Sequence, residues 1–461
     1  MDMDERARAL RAAMDAATDF FSGLDERPVW PRAGLDEMLA ALGAPLADAG
    51  EDAAALIADV AAVADPGLVA IPGGRFFGFV IGGTLPAALA ADWLVSAWDQ
   101  NAGASSLSPA TVAMELIAGE WICELLGLPG TSSVGFVTGA QTSNTVCLAT
   151  AQHAVLRAAG WDQTRKGLRG APPLRLVVGA HRHGSIDRAA RFCGIGSDEL
   201  VVVDADDAGR MRPEALEAAL RETAATAGIP TIVCLQAGEV HTGAFDPFPE
   251  LIAIAKRHGA WVHVDGAFGL WAAASPRLQH LTAGIEGADS WTTDAHKTLN
   301  VPYDCGIAIV RDPEDASAMY RATGDYLMFA SRDPWDRGPE LSRRGRGVPV
   351  YAALRSLGRG GVAALVDRLH RNAVRFEAGL REIPGVEVAN EVPYTQVMFR
   401  LGDDDATTRL GAAILAEGTA ALTGAQWQGR AVLRCSMSSW ATTDDDLDRT
   451  LDAIRRLTAA A

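Results

Sequence analysis

Lysine is almost absent from this 461-residue chain: three positions carry it, although lysine and arginine together number 41. Lys166 lies in a polar, basic stretch, and Lys256 ends an amphipathic segment, where a cation suits the negative end of a helix. Lys297 has no such explanation, because it stands beside His296 between two apolar segments. A chain that otherwise uses arginine therefore retains a lysine at a position that suggests a function.

Other signals are missing, and each absence argues against a class of protein. The six cysteines are scattered without a CxxC pair, which argues against a zinc site or a disulfide framework and for a reducing compartment. No GxGxxG motif follows the first strand of a βαβ unit, so a nicotinamide dehydrogenase is disfavoured. The net charge of −17 without a sizeable basic patch disfavours a nucleic-acid partner.

Long apolar runs are missing too. The most apolar stretch, LVAIPGGRFFGFVIGGTLPAALAADWLV, is interrupted by prolines, paired glycines, Arg75 and Asp92. It never reaches the run of about 18 apolar residues that a membrane-spanning helix needs. The acidic N-terminal stretch also lacks the cationic start and apolar core of a signal peptide. We therefore expect a cytoplasmic protein with no membrane segment.

Hydrophobic periodicity predicts three regions. Residues 1–75 form an N-terminal helical segment, since apolar residues recur at helix spacing in GLDEMLAALG and EDAAALIADVAAVAD. Residues 76–335 alternate amphipathic helices with strands such as RLVVGA, PTIVCLQAG, AWVHVDGA and GIAIVRD. This alternation predicts an α/β domain with a mostly parallel sheet and helices on both faces. Residues 336–461 mix strand-like and helical stretches, which indicates a smaller α+β domain.

Polar residues follow the predicted strands, and ligands of open α/β sheets bind beyond the carboxyl ends of strands. After GFVTG, the start of a helix offers free backbone amides that could hold a phosphate. The residues at this helix start are Gly139, Ala140, Gln141 and Thr142. An ordinary capped helix without a ligand is the commoner case. After RLVVGA comes His183, before a helix that Ser185 could cap. A lone histidine is more often structural than catalytic, and its place at a strand end raises the odds of a catalytic role only modestly.

Asp265 and Lys297 follow two further strands. An acid at the end of the apolar strand AWVHV is costly to bury unless partners meet it, so Asp265 is either a structural cap or a functional group. Lys297 is either a surface lysine between two strands, which the flanking apolar residues disfavour, or an amine nucleophile. An anion cradle, a histidine, an acid and a lysine at strand ends form the set that a phosphorylated pyridine aldehyde requires.

These stretches resemble the pyridoxal-phosphate-dependent group II amino-acid decarboxylases, which have the aspartate-aminotransferase fold (fold type I). The resemblance covers residues 70–350 best. It is carried by HVDGAFG and ADSWTTDAHKTLNVPYDCG, and by RFFGFVIGGTLPAALAADWL, GAQTSNT, RHGSIDRAA, GAFDPF and ELSRRGRGVPVYAAL in the same order. It implies pyridoxal 5'-phosphate as cofactor, an amino acid as substrate, and a homodimer with shared active sites.

The resemblance also implies roles for matching residues. Lys297 would be the Schiff-base lysine, Asp265 would pair with the pyridine nitrogen, and His183 would stack on the ring. The rest of the cofactor site would comprise Gly139, Ala140, Gln141, Thr142, Ala267, Asp294 and His296. On the substrate side, Phe76 and Phe77 would line the pocket, either of their own subunit or across a dimer interface, and Arg343 would orient a carboxylate.

Two departures from the family pattern lie near this set. Glu239, Val240 and His241 stand where the family often has a Thr-Thr pair. Asp294 stands where the family usually has Asn or another neutral residue beside the phosphate. The second departure places a negative charge next to a predicted anion site.

A third departure concerns the reaction. The stretch FASRDPWDRGPELSRR has no tyrosine where many family decarboxylases carry the loop tyrosine that protonates the carbanion, and Tyr326 lies upstream. The expected reaction is decarboxylation of an L-amino acid, aromatic or bulky given Phe76, Phe77, Trp98 and Trp335. The alternatives are oxidation to an aldehyde, Cα–Cβ cleavage or aldol chemistry, and, in another class, a non-catalytic protein on this fold.

Overall fold

The computed structural model describes residues 3–224, 228–321 and 333–459. Within these ranges the helices are α1 Met3–Ser22, α2 Leu35–Leu42, α3 Ala53–Ala64, α4 Pro86–Trp98, α5 Pro109–Leu125, α6 Ala140–Ala158, α7 Gln163–Lys166, α8 Gly184–Phe192, α9 Pro213–Ala224, α10 Phe248–Arg257, α11 Pro313–Tyr320, α12 Gly347–Arg381, α13 Asp404–Glu417 and α14 Asp444–Ala459. The strands are β1 Ser133–Val137, β2 Arg175–Gly179, β3 Leu200–Val203, β4 Thr231–Gln236, β5 Trp261–Asp265, β6 Ser290–Asp294, β7 Gly306–Val310, β8 Val386–Val388, β9 Gln396–Leu401, β10 Thr423–Trp427 and β11 Arg430–Ser436.

Seven strands form the central sheet in the order β1-β7-β6-β5-β4-β2-β3. Every neighbouring pair from β6 to β3 is parallel, and β7 is antiparallel to both β1 and β6. Strands β1, β5, β6 and β7 are buried along their whole length, as expected for strands covered on both faces. The predicted α/β class with a mostly parallel sheet is confirmed, and the reversed β7 is an addition that the sequence pattern did not indicate.

Alternate residues of the central strands supply two apolar cores on opposite faces of the sheet. Along β4, Ile232 and Cys234 lie in the core shared with α6 and α8. Val233 and Leu235 lie in the core shared with α5, α9 and α10. Burying each large aliphatic side chain contributes about 1.5–3 kcal/mol relative to exposure. This two-sided packing fixes the register of the parallel strands and therefore the positions of their carboxyl ends.

The C-terminal unit is a smaller α+β domain, as predicted. Its four strands pair in the order β10-β11-β9-β8, and every pair is antiparallel. Helices α13 and α14 and the second half of α12 cover one face, with Phe376, Leu410 and Leu451 in the shared core. Strand β10 was missed from the sequence, because TGAQW carries little apolar alternation.

The proposed domain boundaries at 75/76 and 335/336 remain predictions, and the packing bears on both. Phe77 lies in the small-domain core, whereas Val350 lies in the large-domain core. Helix α12 runs from one unit into the other and is interrupted at Gly358, which has φ +61°. The chain passes from the large-domain core to the small-domain core between Val366 and Ala373, well beyond the proposed boundary at 335/336. Among the described residues, no helix combines the length and apolar character needed to cross a membrane.

Candidate active site

The carboxyl ends of β4, β5 and β6 lie side by side. Gln236 at the end of β4 is in register with Asp265 at the end of β5, and Asp265 is in register with Thr292 of β6. Parallel strands deliver their final residues to one edge of the sheet, where ligands of such folds bind. A cavity of about 410 Å³ opens at this edge, within the range typical of small-molecule sites.

Most of the site residues predicted from the sequence line this one cavity. They are Gly139, Ala140, Gln141, His183, Asp265, Ala267, Asp294, His296 and Lys297. The first and last of them are far apart in the chain, so their meeting is a consequence of the sheet topology. Co-location supports the predicted set; the role of each residue remains a proposal.

Asp265 is buried and is held by neutral donors. Asn144 donates from Nδ2 to Asp265 Oδ2 at 3.0 Å, and the Ser185 hydroxyl lies 3.4 Å from the same oxygen. The backbone N–H of Ala267 donates to Oδ1 at 3.2 Å. Hydrogen bonds of this kind compensate for burial of the carboxylate without neutralising it. Asp265 therefore presents a fixed negative charge to the cavity.

A second layer fixes Asn144 itself. Because Asn144 uses its amide N–H groups as donors, its Oδ1 is the acceptor for His263 Nε2 at 2.9 Å. His263 Nδ1 then accepts from the Ser290 hydroxyl at 3.0 Å. Complete burial lowers the pKa of His263 to about 4, so the ring is neutral at physiological pH. The relay Ser290–His263–Asn144–Asp265 orients the carboxylate by neutral hydrogen bonds alone.

His183 stands at the start of α8 and caps this helix. Its Nδ1 accepts the backbone N–H of Ser185 at 3.2 Å, so the ring proton belongs on Nε2. Its own N–H donates to Gln236 Oε1 at 3.2 Å. The sequence suggested Ser185 as the cap, and this was wrong: the Ser185 hydroxyl is directed to His183 Nδ1 and Asp265 instead. His183 is thereby held in place at the cavity wall.

Lys297 and His296 surround a second buried carboxylate, Asp294. Lys297 Nζ lies 3.0 Å and His296 Nε2 3.5 Å from Asp294 Oδ2. Asp294 Oδ1 accepts the N–H of Ala140, the first residue of α6, at 2.6 Å. His296 Nδ1 accepts the N–H of Cys305 at 3.1 Å, and burial lowers the pKa of His296. Two side chains that can carry positive charge and a helix N-terminus thus meet one carboxylate.

Asn300 holds the backbone turn that carries Lys297. Its Nδ2 donates to the carbonyl of Lys297 at 3.3 Å and to that of Ser438 at 3.0 Å. Its Oδ1 accepts the N–H of Gly83 at 2.6 Å and of Trp440 at 2.8 Å. Asn300 has φ +56°, a left-handed conformation that Asn tolerates better than most residues. Sequence analysis missed it, since Gly83, Ser438 and Trp440 lie far from it in the chain.

Three further lining residues were also missed: Phe79, Tyr303 and Arg434. Arg434 comes from β11, and its Nε has no hydrogen-bond partner among the described residues, although Nη1 donates to the Val240 carbonyl. Tyr303 stacks on His296 with ring centroids 4.3 Å apart. Phe79 has φ +54° and an exposed ring; its N–H donates to Thr423 Oγ1 at 2.7 Å, and its carbonyl accepts from Ser436.

The substrate-side predictions differ from the structure. Phe76 and Phe77 lie in two separate apolar cores, because the chain passes under the small domain before it reaches the cavity. Arg343 makes a bidentate ion pair with Glu115 at 2.7–2.8 Å, and both side chains are buried. A guanidinium saturated in this way does not orient a substrate from this chain's cavity.

Two other predictions need comment. Thr142 shares a hydrogen bond of 2.8 Å with Thr138 on the first turn of α6, outside the cavity lining. Tyr326 and the first part of the predicted mobile loop lie outside the described residues, so the missing-tyrosine prediction stays a prediction.

Comparisons with known proteins identify the family. Residues 36–402 match the pyridoxal-dependent decarboxylase conserved domain. The chain is 30% identical to L-2,4-diaminobutyrate decarboxylase of Rhizobium meliloti over 80% of its length and 74% of that protein. It is 27% identical to 4-hydroxyphenylacetaldehyde synthase of Rhodiola rosea over 97% of its length and 94% of that protein.

A solved structure, that of Oryza sativa TDC with PLP and tryptamine, superposes with a TM-score of 0.93 over 100% of this chain and 99% of that one. Its identity is 24%, so it confirms the fold, which is that of fold type I pyridoxal-phosphate enzymes. Together with the match over most of the chain, this leads to one conclusion. The protein belongs to the pyridoxal-dependent decarboxylase family and is a carboxy-lyase that uses pyridoxal phosphate.

Proposed function

We propose that this enzyme decarboxylates an L-amino acid with an aromatic or bulky side chain, and that Lys297, Asp265 and His183 carry the chemistry. The observation that supports this most is one cavity that places a lysine amine, an oriented carboxylate and a helix N-terminus together. Arg434, which lines the same cavity, adds a cation that can meet a substrate carboxylate.

The residues present fit pyridoxal phosphate at three of its groups. Asp265 offers a fixed anion for a protonated ring nitrogen, held by Asn144 and Ala267. Helix α6 offers its N-terminal amides from Ala140 onward for the phosphate. Lys297 offers the amine. Only Asp294 fits less well, because its carboxylate already accepts the Ala140 N–H.

When bound, the cofactor supplies an electron-accepting ring for the pair of electrons left by the departing CO2. The chain's own residues do the rest. Asp265 would hold a proton on the ring nitrogen, which stabilises negative charge electrostatically. Lys297 would hold the cofactor covalently through its amine when no substrate is bound. His183, fixed by its cap to α8, covers one side of the cavity.

Arg434 and two aromatic residues favour the substrate class. The Arg434 guanidinium lines the cavity and can hold a carboxylate by charge-assisted hydrogen bonds. Phe79 and Tyr303 supply ring surface at the cavity mouth. A flat aromatic side chain gains contact area there that a short aliphatic one does not.

The function is tested with Lys297→Ala and the matched surface variant Lys256→Ala, whose lysine pairs with Asp289. The native protein and Lys256→Ala should take up pyridoxal phosphate, absorb visible light and release CO2 from amino acids. Lys297→Ala should lose the visible absorbance and at least about 10³-fold in turnover, as expected when a covalent nucleophile is removed. A colourless native protein that binds no pyridoxal phosphate would sink the proposal.

The substrate class is tested with Arg434→Met and an amino-acid panel. Loss of a charge-assisted hydrogen bond should raise KM about 10–100-fold, with cofactor uptake unchanged. The control is Arg430→Met on the same strand, where the arginine pairs with Glu387 at the surface. Higher kcat/KM for short aliphatic amino acids than for aromatic ones would contradict the assignment.

A second outcome, oxidation of the carbanion to an aldehyde, is supported by the similarity to an aldehyde synthase. That route consumes dioxygen and releases CO2, ammonia, peroxide and an aldehyde, whereas simple decarboxylation gives CO2 and an amine. We expect one amine per CO2. Ammonia and aldehyde in equal amounts would identify the oxidative route instead. With Tyr326→Phe, a change of product from amine to aldehyde identifies this tyrosine as the proton donor, and unchanged amine formation excludes it.

We also propose a cytoplasmic homodimer with active sites shared between subunits. Helices α2 and α4 expose large apolar side chains, which is typical of an interface; they include Leu35, Leu39, Leu42, Trp93, Leu94 and Trp98. The six buried free thiols fit a reducing compartment. The native protein should sediment at twice the chain mass of 48.4 kDa, and the double change Leu35→Glu and Leu39→Glu should shift it toward the monomer. A monomer at micromolar concentration would contradict this.

A further inference from the structure

Asp294 and the cofactor phosphate compete for the same charged surroundings. The carboxylate is 2% exposed and closes β6 next to the first turn of α6. Its Oδ1 accepts the Ala140 N–H at 2.6 Å, one of the few backbone donors that a helix leaves unpaired at its start. Its Oδ2 lies 3.0 Å from Lys297 Nζ. The positively charged and N–H groups at this end of the cavity therefore already have an anionic partner, the Asp294 carboxylate.

Each group that faces Asp294 is accounted for. Lys297 and His296 approach Oδ2 from the turn after β6, and Ala140 approaches Oδ1 from α6. Tyr303 stacks on His296, one of these groups. Asp265, the other acid of the cavity, is engaged by Asn144 and Ala267. The region thus holds one anion where the proposed function requires a doubly charged phosphate.

We propose that Asp294 acts as a resident anion that lowers the enzyme's affinity for the phosphate group of its cofactor, so that the site exchanges cofactor more readily than it would with a neutral residue. This rests on the proposed function, which places the phosphate at the start of α6. Like charges in a partly desolvated site repel strongly, because the effective dielectric constant there is far below that of water. The Ala140 N–H must also change its acceptor when a phosphate binds.

The test compares ligands that differ only in the phosphate and that do not react with Lys297. Binding of pyridoxamine 5'-phosphate and of pyridoxamine is measured by calorimetry for the native protein, Asp294→Asn and the control Asp304→Asn. Asp304 is a nearby carboxylate that pairs with Arg346, away from α6. In Asp294→Asn the ratio of the two affinities should rise at least tenfold in favour of the phosphorylated ligand, which corresponds to about 1.4 kcal/mol. Inorganic phosphate should compete at correspondingly lower concentration.

The ratio separates an electrostatic role from a structural one. A damaged site weakens both ligands, whereas removal of a competing anion strengthens only the phosphorylated one. An unchanged or lower ratio in Asp294→Asn, or an equal rise in Asp304→Asn, overturns the inference. Asp294→Ser also removes the charge and should raise the ratio in the same way. It replaces Asp294→Asn in the test if that variant folds poorly. Native protein that binds pyridoxal phosphate without visible absorbance change would instead refute the proposed function.

Discussion

Two carboxylates close neighbouring strands of one sheet, and their surroundings are opposite. Asp265 at the end of β5 is met by neutral donors, and a neutral histidine stands behind them. Asp294 at the end of β6 is met by a lysine, a histidine and a helix N-terminus. The sheet brings both acids to one cavity, but their partners decide what each can do: the first is a fixed charge, the second is an anion that another anion can displace.

Among changes that distinguish the two acids, replacing Asp265 by its amide should have the largest effect. Asp265→Asn removes the charge that holds the proton on the ring nitrogen, so kcat at saturating pyridoxal phosphate should fall about 10²–10³-fold, the usual loss for one preorganised electrostatic group. Asp294→Asn should retain kcat within about tenfold. Steady-state CO2 release measures both. Equal losses in the two variants would show that the acids are not functionally distinct.

The neutral relay behind Asp265 predicts a pH effect on stability. His263 has a pKa of about 4 in the folded protein and about 6.5 when unfolded. The unfolded chain therefore binds the extra proton first, so the free energy of unfolding should fall as pH drops from about 6.5 to 4. At pH 5 this one group accounts for on the order of 2 kcal/mol.

Urea unfolding at pH 7.5 and pH 5 measures this effect. His263→Gln, which does not titrate, should lose less stability between the two pH values than the native protein, even if it is less stable at pH 7.5. The same decrease in both proteins would show that His263 is not the titrating group.

The smallest effect should follow from removing the weakest donor to Asp265. The Ser185 hydroxyl lies 3.4 Å from Oδ2, longer than a strong hydrogen bond, whereas Asn144 donates at 3.0 Å. Ser185→Ala should lower kcat no more than about fivefold, equivalent to about 1 kcal/mol. Asn144→Ala, which also leaves His263 without an acceptor, should lose more in both kcat and melting temperature. A larger decrease in kcat for Ser185→Ala than for Asn144→Ala would show that Ser185, and not Asn144, is the more important donor to Asp265.

The sequence predicts the parts of this molecule in which local pattern and final position coincide. Apolar strands such as AWVHV are recognisable from the sequence alone. A residue that follows a parallel strand lies at the carboxyl edge of the sheet, where Asp265 and Lys297 line one cavity. The lysine, the acid, the histidine and the start of α6 could therefore be placed in one cavity without a structure.

The site features that could not be predicted from the sequence depend on contacts between segments that are distant in the chain. Arg434 reaches the cavity from β11, and nothing in AVLRCSMSS distinguishes it from a surface arginine. Arg343 was predicted to bind substrate because it is a cation in a matching motif, but Glu115, far away in sequence, saturates it. Phe76 and Phe77 were predicted to line the pocket as aromatics, and the small domain buries them.

Phe79 is a wall residue of the cavity, yet its backbone is fastened on both sides to the small domain, through Thr423 of β10 and Ser436 of β11. The width of the substrate entrance therefore follows any shift of that domain relative to the central sheet. Selectivity for the side chain is accordingly adjustable from outside the cavity. Enzyme engineers who wish to change the substrate selectivity should randomise the residues of β10 and β11 that contact the Phe79 backbone, as well as the residues that line the cavity.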